Sequence, residues 1–135
     1  MESETTPIEA PKKIKQAVNL VYLSLAIGLV KSILYETMTS QKMLSDPKAL
    51  SIGVFVIVII GFFGYKIGQG KNWARITLLV LFILGMIWYP FIVLSEFGIS
   101  PMIGIISIVQ MLIQLYVLII LFNKESKEWF SRQGR

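Results

Sequence analysis

Long stretches of this chain carry no ionised side chain, among them Ser51 to Tyr65, Ile76 to Ser95 and Gly98 to Asn123. A helix on the surface of a soluble protein turns a polar face to water, so long charge-free runs belong in a different solvent. An α-helix crosses a ~30 Å hydrocarbon core with about 20 apolar residues, and its backbone amides all bond within the helix. Four segments satisfy this requirement, at about 17–35, 49–67, 74–94 and 101–122. Transmembrane β-strands would instead show alternating segments of about ten residues. The chain therefore reads as all-α: a polytopic membrane protein with a four-transmembrane-helix bundle. Its 55% hydrophobic and 16% charged residues fit that class, since soluble domains hold about 25% charged residues.

The spans divide the chain. Residues 1–15 read as a flexible polar tail with Pro7 and Pro11, 16–123 as the transmembrane domain, and 124–135 as a basic amphipathic tail. Asp46-Pro47 and Ser100-Pro101 each place an N-cap oxygen before a proline at the first helical position. Asn72 is a similar candidate cap for the third span, and Pro90 is expected to kink it. The start, Met1-Glu2-Ser3-Glu4, is acidic, and the first span continues to Lys31, so no cleaved leader is expected.

Orientation follows from the cations. One side holds Lys12, Lys13, Lys15, Lys66, Lys71, Arg75, Lys124, Lys127, Arg132 and Arg135, while the other keeps only Lys31, Lys42 and Lys48. That bias places both termini in the cytoplasm. It also accounts for the net charge of +5 without nucleic acid as a partner. Tyr35, Trp73, Trp88, Tyr89, Trp129 and Phe130 fall near the expected interfaces, as an aromatic belt would.

Chemistry has few places to reside. The chain contains no cysteine and no histidine, which removes thiolate and imidazole nucleophiles, bases and metal ligands. Glu2, Glu4, Glu9, Glu36, Asp46, Glu96, Glu125 and Glu128 all fall outside the spans or at their edges, and Lys31 and Lys66 are expected to snorkel to the headgroups. An intramembrane ionisable group of the kind used by ion-coupled pumps is therefore not expected. Gly68-Gln69-Gly70-Lys71 reads as a tight turn rather than a phosphate loop. No catalytic residue, metal or cofactor is expected, and the chain is not expected to be an enzyme.

Two helix faces stand out. Gly53, Gly61 and Gly68 lie with Ile57 roughly along one stripe of the second span, and Gly64 with Gly68 forms a small-xxx-small pair. Such a face lets another backbone approach closely, either in a homodimer or within the same bundle. On the fourth span Ser107, Gln110 and Gln114 share a face that Gly104 extends. Two glutamines near mid-membrane should face inward, with Ser24 or Tyr22 of the first span as partners. They serve either as interhelical glue or as the polar lining of a path for a small solute.

Gly70-Lys71-Asn72-Trp73-Ala74-Arg75 resembles a boundary that recurs before the third helix of small bacterial four-helix inner-membrane proteins. The ending Phe122 to Phe130, with its Ser-x-x-Trp-Phe, is similar to the ending of the same group, although this chain lacks the proline frequent after Phe122. The resemblance implies a bacterial origin and a plasma-membrane location, and carries no activity with it. Trp73, Arg75, Trp129 and Phe130 are expected to be interface anchors. Arg75 would reach lipid phosphate or carbonyls ending the second helix, and the tail would lie along the membrane surface.

Two functions follow as expectations. One is a non-enzymatic membrane protein acting through helix–helix contacts, as an accessory subunit or immunity-type protein. The other is an oligomeric small-solute transporter or channel lined by Ser107, Gln110 and Gln114. The partners are the lipid bilayer and either further copies of the chain or another membrane protein.

Overall fold

The structure is a computed structural model that describes residues 11–42 and 44–133. Regular structure among these residues is helical: α1 (Lys12–Met38), α2 (Pro47–Gly68), α3 (Asn72–Ile99), α4 (Pro101–Leu121) and α5 (Lys124–Gln133). The first four are long and apolar enough to cross a membrane. Residues 1–10, which hold most of the expected N-terminal tail, lie outside the described residues.

The helices overrun the spans expected from hydropathy. α1 begins at Lys12 and ends at Met38, and α3 reaches Ile99. At 1.5 Å per residue α3 is about 42 Å long, more than a hydrocarbon core requires. A helix ends where hydrogen bonding ends, and the polar residues around Glu96 do not stop it. α3 also runs unbroken through Pro90.

The caps divide. Asp46 accepts a hydrogen bond from the Lys48 amide at 3.3 Å, with Pro47 opening α2. Ser100 occupies the N-cap of α4 without a side-chain bond. Asn72 is not the cap of α3; Lys71 holds that position, and the buried Asn72 Oδ1 has no hydrogen-bond partner. Between α2 and α3 the chain turns at Gly70, whose φ of 82° is a conformation that side chains rarely adopt. The α1–α2 connection forms bends and turns among its described residues. Glu36 orders it by accepting bonds from the Leu44 amide at 2.6 Å and the Ser45 hydroxyl at 3.3 Å.

α4 is the central helix, packed against α1 on one side and α3 on the other, with α2 against α1. α2 and α3 touch beside their connection, where Trp73 packs on Phe62 and Phe63 with ring centroids about 6 Å apart. The apolar core gathers at the end of the bundle that carries α5. It joins Ile14, Ala17, Val21, Ile67, Ala74, Val117, Ile120 and Leu121 to Trp129 and Phe130. The opposite end is held by polar contacts.

Candidate functional site

At the α5 end, the two sequence motifs meet. The Arg75 Nη1 donates to the Leu121 carbonyl at 3.0 Å, and its guanidinium lies 4.6 Å from the Phe122 ring centroid and 4.7 Å from that of Phe130. The last carbonyls of a helix have no partner within it and carry partial negative charge, so a cation suits them. The helix concerned is α4, not α2. Arg75 is buried, as are Trp129 and Phe130, the latter fully. These three are therefore internal contacts rather than exposed anchors; Trp73, half exposed, remains at the surface.

α5 reaches the core through its own polar pins. The Ser126 amide donates to Asn123 Oδ1 at 2.8 Å, and the Ser126 hydroxyl to the Ile120 carbonyl at 2.6 Å. One face of α5, with Ser126, Trp129 and Phe130, is thus packed against the end of the bundle, while Lys124, Glu125, Lys127 and Glu128 are exposed. The Arg75 Nε and Trp129 Nε1 donors are buried without partners, so the α5 end is one of tight packing at some polar cost.

The opposite end holds what the sequence reading missed. Glu96 lies within α3 and is buried, 6% exposed. Its Oε1 is 3.0 Å from Lys31 Nζ, and its Oε2 accepts from the Ser107 hydroxyl. Lys31 Nζ also donates to Ser107 Oγ at 3.0 Å, and Tyr89 donates to the Ser107 carbonyl. Lys31 does not snorkel outward, and Glu96 is not a loop carboxylate. Three helices thus converge on Ser107, which is fully buried. A signal for this existed: a lone Glu followed by apolar Phe97, and a lone Lys in an otherwise uncharged segment, are opposite charges in need of burial partners.

Further along α4, Gln110 Nε2 donates to the Ser24 carbonyl at 3.1 Å and Gln114 Nε2 reaches Ser24 Oγ at 3.4 Å. Gln110 can approach because residue 28 is glycine; a Cβ there would sit 3.2 Å from its Nε2. Tyr22 makes a different contact, donating to the Gly61 carbonyl at 3.3 Å. Below the Ser107 layer, Ser24, Tyr89, Gln110 and Gln114 border a cavity of about 260 Å³ whose remaining walls are apolar. Beyond that layer, Lys31 and Glu96 instead border a polar vestibule with Ser32, Tyr35 and Gln41.

The glycines divide by depth. Gly64 packs on Val21 and Tyr22, and a Cβ on Gly68 would meet Val18 at 3.8 Å. Gly53 and Gly61 would meet nothing within 4 Å. All four lie within about 80° of arc around α2, given 3.6 residues per turn. One stripe is therefore packed on α1 near the α5 end and unfilled farther along. Gly104 is the tightest of the chain's described glycines, since a Cβ there would lie 2.5 Å from the Phe97 ring.

Among the described residues, no group of His, Cys, Asp or Glu is placed to hold a metal ion. Comparison of the chain with protein-family models, curated proteins and solved structures finds no match in any of the three.

Proposed function

We propose that this chain is a non-enzymatic, multi-pass protein of a bacterial plasma membrane, with both termini in the cytoplasm, that acts through helix–helix contacts. It would serve as an accessory subunit of a larger complex or as an immunity-type protein that occupies a membrane-active partner. The observation that carries this reading is the half-filled glycine stripe of α2. Where Gly64 and Gly68 meet α1 the stripe is used, and at Gly61 and Gly53 the same side of the helix is unfilled. Backbone exposed at glycine offers the close approach on which helix association in lipid depends. The cation distribution supports the orientation, because the α5 end carries the excess of Lys and Arg.

The chain has no cysteine, so a single cysteine placed at Gly53 or Gly61 reports its neighbours alone. In source membranes such a residue is expected to crosslink to a second polypeptide, and the intact particle in nanodiscs to exceed the mass of one chain. A monomeric particle with no crosslink at either position would refute contact through this face.

A second reading, an oligomeric small-solute transporter or channel, is favoured by one arrangement. The vestibule and the mid-bundle cavity lie on opposite sides of the Ser107 layer, with Gln110 and Gln114 bordering the cavity. Flux that disappears with Gln110→Leu and Gln114→Leu while assembly persists would favour this reading over the first.

A further inference from the structure

The mid-bundle cavity has more chemical definition than a packing gap. Gln110 and Gln114 each donate one amide N–H to Ser24, which leaves a second N–H on each side chain. Both side chains border the cavity, and their amide oxygens accept no hydrogen bond from the described residues. Amides with a spare donor and a spare acceptor beside an apolar space suit a group that both donates and accepts, as a hydroxyl does. No charged side chain borders the cavity, so an anionic or cationic guest would enter without a counter-charge. The guest is therefore neutral.

Position and size narrow the guest further. Gln110 and Gln114 stand about 14 and about 20 Å along α4 from its first residue, too deep for a phospholipid headgroup in a spanning helix. The volume of about 260 Å³ exceeds the ~150 Å³ of an apolar cavity that accepts benzene. The space is partly open, and Val56 of α2 and Leu81 of α3, which border it, are both exposed. Entry between these helices would come from the hydrocarbon phase. Gly85 enlarges the wall, since a Cβ there would meet nothing within 4 Å.

We propose that this cavity binds a neutral, membrane-soluble alcohol: an apolar chain or ring whose hydroxyl donates to the Gln110 or Gln114 amide oxygen. The proposal rests on the membrane placement given above and is independent of any protein partner at the α2 stripe.

The test uses the full chain in nanodiscs and a dodecanol analogue carrying a diazirine in its chain. Photolabelling is expected on the cavity-lining segments around Ile60 and Met86, and dodecanol should compete about five-fold better than dodecane, the yield of one net hydrogen bond. Gly85→Leu fills the space and should abolish the label there. Gln110→Met with Gln114→Met preserves side-chain length and should make dodecanol and dodecane equal, giving a second readout if Gly85→Leu does not fold. Labelling confined to outward residues such as Leu84 and Phe91, or dodecane competing as well as dodecanol with the native chain, would overturn the proposal. Side-specific accessibility measured on the same chain reads membrane placement separately, so failure of the site and failure of the placement give different results.

Discussion

The Lys31–Glu96 pair is the residue-scale feature with the largest energetic consequence. Lys31 is bonded to Glu96 and Ser107, and Glu96 has little access to solvent. Removing one member of a buried pair strands the other, at about 3–5 kcal/mol, whereas neutralising both removes the desolvation cost with the attraction. Lys31→Met and Glu96→Gln are each expected to lower detergent stability strongly, while the double variant loses much less than their sum. Strict additivity in thermal melts of all four proteins would show that the pair does not couple. Gly104 makes a steric case. Gly104→Ala places a methyl group against Phe97, at an expected cost of about 1–3 kcal/mol, and Phe97→Ala in the same chain should recover part of it. A melt of Gly104→Ala equal to that of the native chain would mean that the helices separate freely there. Hydropathy alone reveals neither contact, because it treats a charge near a span end as loop and a glycine as merely small; only the lone opposite charges of Lys31 and Glu96 hinted at the first. By contrast, the pairing of Gln110 and Gln114 with Ser24 was legible, since helical spacing fixes which residues share a face and lipid penalises unpaired amides.

At the scale of elements, α5 distinguishes a surface tail from a structural plug. Its Phe130 is fully buried beside Arg75, and Trp129 packs edge-on against it with centroids 4.9 Å apart. Phe130→Ala is expected to cost about 3–5 kcal/mol, as for a buried aromatic, whereas the half-exposed Trp73 should tolerate alanine better. Equal stability losses for the two variants in denaturant titrations would return α5 to the surface. The Arg75 site makes a related demand: Arg75→Lys keeps the charge but loses the flat guanidinium between two rings, so a lysine should not restore native stability. The sequence marked Arg75, Trp129 and Phe130 as special, yet each type also suits a membrane boundary on its own. Only the chain's return through α5 brings the two motifs together. The ends of α1 and α3 escaped the hydropathy reading for a similar reason: helix continuity depends on backbone bonding, which polar residues such as Ser95 and Glu96 do not interrupt.

Across the whole molecule, the α5 end is an apolar core closed by aromatic residues, and the far end is tied by Lys31, Glu96, Ser107 and Tyr89. Between them lie the cavity and the unfilled part of the α2 stripe. Number and order of the long helices were legible from the charge-free runs, because the alternative solvent for such runs is lipid. Which helices touch was not, since four apolar cylinders can be arranged in several ways until the polar and glycine contacts select one. The proposed topology places α5 and the Gly70 turn on the cytoplasmic side of a bilayer. The most direct test is side-specific labelling of single cysteines in the otherwise cysteine-free chain in bacterial cells. An impermeant maleimide is expected to label Gln41→Cys in intact cells, and to label Lys71→Cys and Ser131→Cys only after permeabilisation. Labelling of all three positions in intact cells, or of Gln41→Cys and Ser131→Cys from the same side, would contradict the four-span topology.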